Sequence, residues 1–397
     1  MLTLEDARAA ILQRIVPATV AETVPLAQAR GRYAAAEIRA RVDNPAFDNS
    51  AMDGYAVRTA DLLAADFRMP LAGESSAGSI PGTLGAGVCM RIFTGAPIPA
   101  GADAVVIQED VKRDGNTIVF PRTVQPGANI RRRGEDFKST ELLFAPGRRL
   151  GAVKLALLAT AGVAEVPVFA RARVLVVATG DELVAPGQPL APGQIYESNR
   201  LATLAQLADF GVEAIDGGTV KDDPAALRTL LTRSTDYDFI ITSGGASVGE
   251  HDLVKQVFAE IGEIEFWKVR IKPGKPLAFG RVGARTHFFA LPGNPVSSLV
   301  TYKLFVEPAL AVWHHAEPHE WKLPATATNG FRRHPGRTEF LRARLYTEHG
   351  KLLAEVLKGQ GSHMLGPVRE ANAFIRVEAD SDGFAAGDAV TVIPWLP

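Results

Sequence analysis

The sequence has few of the features that mark secreted, membrane-spanning or nucleic-acid-binding proteins. Its single cysteine, Cys89, excludes an internal disulfide and any metal site built from several cysteines. No apolar run approaches the roughly 20 residues that span a bilayer, and the first six residues lack the basic and apolar segments of a signal peptide. A formal net charge of −1 gives no overall attraction to nucleic acid or anionic lipid. We therefore expect a soluble, cytoplasmic protein in which Cys89, between Val88 and Met90, is a buried and unreactive thiol.

Histidine ligation is also not indicated, because the eight histidines show no metal-binding spacing. The pair His314-His315 ends an apolar helical segment, where a positive charge would suit the helix dipole. What the chain does contain is a hydrophobic content of 47% spread over 397 residues. That length and composition predict a globular protein of two to four domains.

The first 170 residues predict a helical module interrupted by a β-rich insertion. Apolar periodicity predicts three helices, over residues 4–16, 25–36 and 153–161. From residue 43 to 139, short β-rich runs alternate with Gly and Pro turns instead. We therefore assign residues 1–42 and 140–170 to one helical domain, and residues 43–139 to an inserted β domain.

Residues 171–316 show the clearest alternation of strands and helices. Strands are predicted over residues 173–179, 213–220, 239–241, 264–271 and 287–291. Helices are predicted over residues 199–210, 224–231, 252–261 and 294–314, with Gly211 as a C-cap. Such repeats imply an α/β domain with a doubly wound parallel sheet. In the remaining segment, 317–397, four further strands predict a small β barrel or sandwich, over residues 338–346, 352–356, 373–377 and 389–393.

The most informative segment of the α/β region is DFIITSGGASVGEHD, residues 238–252. An apolar strand ends there in Ser243, Gly244 and Gly245, whose small size lets backbone amides approach an anion. Ser247 follows in the same turn, and the positive end of the predicted helix 252–261 faces the same point. Carboxylates at Glu250 and Asp252 suit a divalent cation that bridges phosphates. The segment therefore predicts a site for a phosphorylated ligand and a metal.

Four other loops follow predicted strands in the same way: TGDE (179–182), KDDP (221–224), KPGKP (272–276) and LPGNP (291–295). The carboxyl ends of parallel strands meet at one edge of a sheet, which is where ligands bind. Glu182 and Asp252 are the candidate magnesium ligands. Lys268, Lys272 and Lys275 are the candidates for binding an oxyanion.

Each of these motifs has a simpler interpretation. Asp222 and Asp223 are typical helix N-caps, and Lys268 is typical of a strand that is protected against edge pairing. The segment 292–295 is also typical of a turn that feeds a helix. The convergence of five polar loops on one edge favours a binding site over the simpler interpretations taken together.

The inserted region contributes three more polar motifs: DNSAMDG (48–54), RIFTGAP (91–97) and RRRGED (131–136). A run of three arginines is typical of a solvated surface. The adjoining glycine and carboxylates make a site for an anion and a metal a competing interpretation. The sequence alone leaves both alternatives open.

Together these stretches resemble the MoeA family of molybdopterin molybdenumtransferases, which is homologous to the E domain of gephyrin. The matching motifs occur in family order over nearly the whole chain: DNSAMDGYA (48–56), RIFTGAP (91–97), NIRRRGED (129–136), TGDEL (179–183), TSGGASVGE (242–250), IKPGKP (271–276), LPGNPVS (291–297) and QGSH (360–363). The resemblance implies four domains and an elongated homodimer. It also implies an active site between the α/β domain of one subunit and the inserted domain of the other.

The resemblance further implies a reaction and its residues. The substrates are adenylylated molybdopterin and molybdate, and a magnesium-dependent hydrolysis of the adenylate accompanies molybdenum insertion and releases AMP. The implied metal ligands are Glu182 and Asp252. The implied catalytic residues are Asp53, Thr94, Asp136, Asp222, Lys268 and Lys272. The implied substrate-binding residues are Ser243, Gly244, Gly245, Ser247, Lys275, Pro292, Gly293, Asn294, Pro295, Arg337 and Ser362.

Two other functions fit parts of the sequence. Molybdopterin adenylyltransferases resemble residues 171–316 and share the Ser-Gly-Gly turn, but they lack the flanking domains. A gephyrin-like scaffold that binds a partner's peptide is the other alternative, but nothing in the sequence requires it, and the presence of the acids and lysines quoted above favours catalysis. The enzyme is also expected to meet the upstream adenylyltransferase transiently.

Overall fold

The N-terminal part of the chain contains more β-structure than its sequence predicts. The computed structural model describes residues 1–80, 82–221, 223–232, 234–244, 257, 262–283, 285–318 and 322–395. Its first strands are β1 (Ala21–Pro25), β2 (Ile38–Arg39), β3 (Asn49–Ser50), β4 (Gly54–Val57), β5 (Arg68–Ser75), β6 (Cys89–Ile92), β7 (Ala104–Ile107), β8 (Lys112–Asp114), β9 (Thr117–Val119), β10 (Ile130–Arg131), β11 (Leu142–Phe144) and β12 (Glu165–Phe169). The helices among them are α1 (Leu4–Leu12), α2 (Thr59–Ala64) and α3 (Ala152–Thr160).

The helix predicted over residues 25–36 is wrong. β1 pairs antiparallel with β12, and only a short 3₁₀ turn, Leu26–Gln28, follows it. Gly31 then takes a left-handed conformation at φ +78°, which ends any helical continuation. Helix α1 is real, but it ends at Leu12, and its buried residues Leu4 and Ala7 pack into the core of the α/β domain.

The inserted β domain is joined to the rest of the chain by a neck of two adjacent chain segments. β2 pairs antiparallel with β11, and Asn44 forms an isolated antiparallel bridge with Phe137. The Asp43 carboxylate accepts a hydrogen bond of 2.7 Å from the Ser139 amide. Beyond the neck, a six-stranded sheet runs in the order β7-β4-β6-β5-β9-β8. Cys89 is fully buried on β6, as predicted, and burial raises its thiol pKa to about 11.

The central domain contains strands β13 (Arg173–Thr179), β14 (Leu183–Val184), β15 (Ile195–Tyr196), β16 (Glu213–Val220), β17 (Phe239–Ser243), β18 (Gly262–Lys268), β19 (Ile271–Lys272), β20 (Pro276–Val282) and β21 (Thr286–Leu291). Its helices are α4 (Asn199–Phe210), α5 (Pro224–Thr232), α6 (Pro295–Thr301) and α7 (Glu307–Trp313). A π-helical segment, Tyr302–Val306, joins α6 to α7 in one helical run. The predicted helix 252–261 lies outside the described residues except for Val257, which is helical and buried.

The sheet of this domain is mixed and not wholly parallel. The strand order is β16-β13-β17-β21-β20-β18, with the first four strands parallel and β20 antiparallel to both of its neighbours. The sequence did not predict β20, because Pro276 and Gly280 within it are typical of a loop. The central strands are buried on both faces, as their continuous apolar runs predict.

Two histidines pack inside this domain. His287 lies against the rings of Phe239 and Phe279 and accepts a hydrogen bond from the Val16 amide at 3.2 Å. His314 is 2% exposed, and its Nδ1 is 2.7 Å from the Leu310 carbonyl. Burial lowers the pKa of each histidine to about 4. His314 is therefore neutral near pH 7, and the expected charge–dipole interaction is wrong for this residue.

The C-terminal region forms the predicted β barrel. Its strands are β22 (Leu323–Ala327), β23 (Phe331–Arg332), β24 (Thr338–Glu348), β25 (Lys351–Val356), β26 (Ala373–Val377), β27 (Gly383–Phe384) and β28 (Ala389–Pro394). The order β24-β25-β22-β28-β26 closes through a β24–β26 ladder. β19 of the central domain adds to β24 in parallel, which ties the two domains together. Every described helix falls short of the length and hydropathy needed to cross a membrane.

Candidate active site

The strand ends of the central sheet lie side by side, as the topology predicts. The register places Ala178 beside Ser243 and Ser243 beside Leu291, and the Gly244 amide donates to the Leu291 carbonyl at 3.0 Å. On the outer side of the sheet, Lys268 is paired with Pro276. β18 runs parallel to β21, because both are antiparallel to β20. The loop between β18 and β20, which carries Lys272 and Lys275, therefore shares the edge with the ends of β13, β17 and β21.

The backbone at Gly244, in the centre of this edge, is packed too tightly for a side chain. Gly244 has φ +99°, and a Cβ on it would stand 2.6 Å from both the carbonyl oxygen and the Oγ1 of Thr179. A Cβ on Gly293 would stand 3.9 Å from the Gly244 Cα. The Ser243 turn thus packs directly against the end of β13, with Gly293 beside it, and main-chain groups and small side chains form the floor of the site. Ser243 is buried at this floor, while Gly245 and Ser247 lie outside the described residues.

The turn 292–295 is held in place from two directions. The Asn199 side-chain amide donates to the Gly293 carbonyl at 2.7 Å. The Val296 amide donates to the Ser362 carbonyl at 3.0 Å, which brings Ser362 of the C-terminal domain to this turn. Pro295 begins α6, so the interpretation as a turn that feeds a helix is correct in its geometry. Since Val296 donates to Ser362, the start of this helix is partly capped by the C-terminal domain.

Lys272 and Arg337 are brought close by the ladder between β19 and β24. Ile271 is paired with Thr338, and Lys272 with Glu339. The Lys272 ammonium lies 2.8 Å from a carboxylate oxygen of Glu339, and this lysine side chain is 48% exposed. Lys268 and Lys275 are also exposed at the edge. Lys268 stands on the outermost strand, which is the position that the edge-protection alternative requires.

Two exposed carboxylates, Asp181 and Glu182, follow the end of β13, and Glu182 is the predicted metal ligand. It is exposed, and its oxygens lie 2.5 and 2.9 Å from the position of a Cβ on Gly180, so the carboxylate folds back over the strand end. Among the described residues, no hydrogen bond or ion pair occupies this carboxylate. Asp252, its expected partner in metal binding, lies outside the described residues.

The described residues contain no group of three or more His, Cys, Asp or Glu side chains that could hold a metal by themselves. Magnesium commonly takes only one or two carboxylates and completes its shell with water and substrate phosphates. An exposed and unoccupied carboxylate at a strand end fits that mode of binding. Glu182 is therefore a suitable magnesium ligand.

Two aspartates, Asp222 and Asp223, follow β16, and the structure describes the second of them. The carboxylate of Asp223 accepts hydrogen bonds from the Ala225 and Ala226 amides, at 3.3 and 3.1 Å. Asp223 is thus the N-cap of α5, as its simpler interpretation predicts. Asp222 lies outside the described residues.

In the inserted domain, Asp53 and Thr94 form one unit. A carboxylate oxygen of Asp53 accepts hydrogen bonds of 2.8 Å from both the amide and the hydroxyl of Thr94. These two hydrogen bonds lower the pKa of Asp53. The Asp136 carboxylate accepts from the Asn44 side-chain amide at 2.9 Å. The described hydrogen-bond partners of these residues thus lie within the inserted domain or its neck, and not at the edge of the central sheet.

The arginine run in the inserted domain pairs with different acids from those nearest in sequence. Arg132 lies 2.6 Å from Asp48, and Arg133 lies 2.5 Å from Asp43. Both arginine side chains are more than half exposed, at 57% and 68%. Two of the three arginines therefore brace a surface loop against its own aspartates, which agrees with the solvated-surface alternative.

Two residues that hold the site were missed by the sequence. The Asn199 side-chain amide donates a hydrogen bond to the Gly293 carbonyl, and Glu339 forms an ion pair with Lys272. Asn199 was interpreted only as the start of a helix. The sequence offers no local signal for Glu339, because the strand that begins at Thr338 mixes polar and apolar residues, and the burial of its first six residues is visible only in the structure.

Comparison with known proteins covers the whole chain. Residues 2–162 match the family model described as "MoeA N-terminal region (domain I and II)", residues 175–312 match "Probable molybdopterin binding domain", and residues 324–395 match "MoeA C-terminal region (domain IV)". The molybdopterin molybdenumtransferase of Haemophilus influenzae is 40% identical over 100% of this chain and 99% of its own length. The molybdopterin molybdenumtransferase 2 of Mycobacterium tuberculosis is 38% identical over 93% of this chain and 94% of its own. The crystal structure of the molybdopterin biosynthesis moeA protein from Pyrococcus horikoshii superposes with a TM-score of 0.80 at 33% identity, with 100% of both chains covered.

Proposed function

The chain belongs to the MoeA family of molybdopterin molybdenumtransferases, and on that premise we propose that it inserts molybdate into adenylylated molybdopterin while hydrolysing the adenylate and releasing AMP. The observation that carries the proposal is the edge of the central sheet. A side-chain-free floor at Gly244 and Gly293 lies beside a loop of lysines, and an exposed carboxylate stands at the next strand end. Phosphate, an oxyanion and a metal ion are the three groups that the active site must bind in the proposed reaction.

The floor of the edge is assigned to the pterin and its pyrophosphate. Backbone amides in a turn without side chains can approach phosphate oxygens closely. Ser243, Gly244, Gly245 and Ser247 would hold the phosphates, and the rigid turn Pro292-Gly293-Asn294-Pro295 would bound the site on the side of Ser362. The fixed position of that turn, through Asn199 and Ser362, supports a preformed site.

The lysine loop is assigned to molybdate, a tetrahedral dianion. Lys268, Lys272 and Lys275 would supply ammonium donors, and Arg337, which directly precedes the residue paired with Ile271, would supply a planar guanidinium. Exposed ammonium groups that alternate with buried residues along one loop can surround an oxyanion without closing it off from the dithiolene sulfurs. Those sulfurs belong to the substrate, so the buried thiol of Cys89 has no part in the reaction.

Glu182 would hold magnesium together with Asp252. A bound magnesium ion would polarise the adenylate phosphates and neutralise the charge that develops on them. The part of Glu182 itself is to present an unpaired carboxylate at the strand end nearest the Ser243 turn. Asp222, after the neighbouring strand, is assigned to the same hydrolytic half of the site.

The inserted domain is assigned to the site of a second subunit. Asp53, Thr94 and Asp136 carry the functional motifs of that domain, yet their described partners lie within it or its neck. A homodimer in which each inserted domain covers the sheet edge of the other subunit would bring these groups to the substrate. The upstream adenylyltransferase is the proposed transient partner, because it produces the adenylylated substrate.

The experiment supplies the purified protein with adenylylated molybdopterin, magnesium and molybdate. The expected products are AMP and a cofactor that activates a molybdenum-free apoenzyme. Consumption of ATP with unadenylylated molybdopterin would instead identify an adenylyltransferase. Failure to release AMP under any of these conditions, with the substrate bound, would identify a binding protein and overturn the proposal.

A further inference from the structure

The carboxylate of Glu339 is buried between two cations from different parts of the chain. Its side chain is 4% exposed on β24 of the C-terminal barrel. One oxygen lies 2.8 Å from the Lys272 ammonium, and the other lies 3.4 Å from the Arg333 guanidinium. A carboxylate that is removed from water in this way is stable only while its partners remain in place. The three side chains therefore form one unit that spans two domains.

Arg333 fixes the buried side of this unit. Its side chain is 6% exposed, and it donates to the Ser381 carbonyl at 3.0 Å and the Glu378 carbonyl at 2.5 Å, as well as to the Arg337 carbonyl. An arginine held by three carbonyls has little rotational freedom left. The Glu339 carboxylate consequently has a fixed position, and the ion pair with it restrains the Lys272 ammonium.

The backbone also ties the Lys272 loop to the barrel. Ile271 is paired with Thr338, and the Arg270 guanidinium donates to the Gly336 carbonyl at 3.2 and 3.3 Å. Lys272 nevertheless remains 48% exposed. An ammonium has three N–H donors, and Glu339 accepts from one of them, so the described residues leave two donors for a ligand.

The charge of the unit suits an anionic ligand. Glu339 alone would repel an oxyanion at Lys272. With Arg333 behind it, the three groups carry two positive charges and one negative charge, which leaves a net charge of +1 at Lys272. Arg333 thereby makes it possible to anchor the lysine with a carboxylate and still attract an anion.

We propose that Glu339 is a positioning residue, which holds the Lys272 ammonium in the place where it meets the molybdate oxyanion. The inference depends on the proposed function, since molybdate is the oxyanion that the proposed reaction uses. The C-terminal barrel thus contributes to the site from behind the lysine, without its carboxylate touching the substrate.

The test is a double-mutant cycle of Glu339→Gln and Lys272→Ala, with the KM for molybdate and kcat measured for each protein. Loss of the anchoring carboxylate is expected to raise the KM about tenfold with kcat changed less than about twofold. Lys272→Ala is expected to raise the KM by more, up to about a hundredfold. In the Lys272→Ala background, Glu339→Gln should then have no further effect on the KM. An equal rise in KM in both backgrounds, or no rise in the wild-type background, would overturn the proposal.

Two controls separate positioning from a general loss of structure. Glu355→Gln removes a carboxylate that pairs with Arg344 at 3.4 Å on the neighbouring barrel strand, and it should leave the KM unchanged. Where thermal melting shows that Glu339→Gln does not fold, Glu339→Asp takes its place. The aspartate keeps the charge but is one methylene too short, so a wild-type KM for this variant would contradict the proposal.

Calorimetric titration with molybdate alone distinguishes this inference from the proposed function. A wild-type protein that binds molybdate but releases no AMP would overturn the proposed function only. Weaker molybdate binding by Glu339→Gln, and not by Glu355→Gln, would still support the positioning role. Equal molybdate binding by all three proteins would overturn it.

Discussion

Glu182, at the central sheet edge, and the carboxylates of the inserted domain are used in opposite ways. At the edge, Glu182 is exposed and has no hydrogen-bond or ion-pair partner among the described residues. In the inserted domain, Asp53 accepts two hydrogen bonds from Thr94, and Asp43 and Asp48 pair with arginines. The first region presents a charge that a ligand must satisfy. In the second region, hydrogen bonds and ion pairs already satisfy the carboxylates and stabilise the conformation of the loops.

This difference explains how two regions with similar acid-rich motifs can have separate tasks. The sheet edge is positioned by buried strands, so its loops can keep unsatisfied groups without losing their places. The inserted domain has short strands, and its loops depend on local hydrogen bonds from the same acids for their conformation. Substitutions should therefore affect chemistry in the first region and local structure as well as chemistry in the second.

The largest expected effect is that of Glu182→Ala. Removal of the unpaired carboxylate is expected to lower magnesium-dependent turnover about a thousandfold, which corresponds to about 4 kcal/mol. The melting temperature should stay close to that of the wild type, because an exposed side chain without partners contributes little to stability. Asp181→Ala, at the adjacent exposed carboxylate, is the matched control for turnover. Undiminished magnesium-dependent turnover in Glu182→Ala would show that the two regions do not differ in this way.

A mixture of two inactive variants tests whether the two regions meet across subunits. Dissociated and reassociated Glu182→Ala and Asp53→Ala proteins should regain about a quarter of the wild-type activity. About half of the dimers would be mixed, and each of these would contain one site with both residues intact. Activity is measured as AMP release after mixing, with each variant reassociated alone as the control. An unrestored mixture that contains mixed dimers would place both residues in the site of the same chain.

Acid should destabilise the central domain before the inserted one. The pKa of His287 is about 4 in the folded protein and 6.5 in the unfolded chain, so the unfolded chain binds more protons between these values. The contribution of each buried histidine to the free energy of unfolding is therefore complete above pH 6.5. It falls by roughly 3 kcal/mol per buried histidine as the pH decreases to 4. The inserted-domain aspartates have lowered pKa values, so their contribution is lost only below about pH 4.

His287→Gln is the variant that checks this order. Glutamine keeps an acceptor for the Val16 amide but does not titrate, so the loss of stability between pH 6.5 and 4 should be roughly 3 kcal/mol smaller than in the wild type. Denaturant unfolding followed by tryptophan fluorescence is a suitable measurement, because all four tryptophans lie outside residues 43–139. An unchanged pH dependence in the variant would show that His287 does not control acid stability.

The smallest expected effect is that of Thr94→Val in the inserted domain. The variant loses the hydroxyl hydrogen bond to Asp53 and keeps the amide hydrogen bond, so we expect a loss of about 1 kcal/mol, or about fivefold in turnover. Thr94→Ser retains the hydroxyl and should behave like the wild type. Equal turnover of the valine and serine variants would show that the hydroxyl has no role in orienting Asp53.

The sequence predicted the parts of the fold that depend on local burial. The strand 239–243 is apolar because it is buried on both faces, and the barrel strands show their pattern for the same reason. The helix predicted from periodicity over residues 25–36 is wrong. Leu26, Ala29 and Tyr33 have helical spacing, but the left-handed conformation of Gly31 interrupts the helix. Propensity failed for β20, where Pro276 and Gly280 sit inside a strand that two neighbours hold in place.

The site was predictable to the level of its loops and no further. Strand topology was sufficient to place Ser243, Gly293 and Lys272 at one edge. The pairing of Lys272 with Glu339 was not, because it joins residues of two domains that are far apart in the chain, and no local pattern encodes such a contact. The pairing of Arg132 and Arg133 with Asp48 and Asp43 escaped prediction for the same reason, since Glu135 and Asp136 were closer in sequence.

The paired segments at the neck of the inserted domain make that domain an exchangeable cassette. Asn44 and Phe137 are bridged, and Asp43 holds the Ser139 amide, so the two ends of the segment are already joined in space. Closing such ends with a short linker costs little entropy, and so does inserting the segment into another host loop. Residues 43–139 can therefore be excised at a single surface position by joining the two ends of the neck. Such a deletion would remove Asp53, Thr94 and Asp136 from the proposed composite site and leave the central sheet untouched.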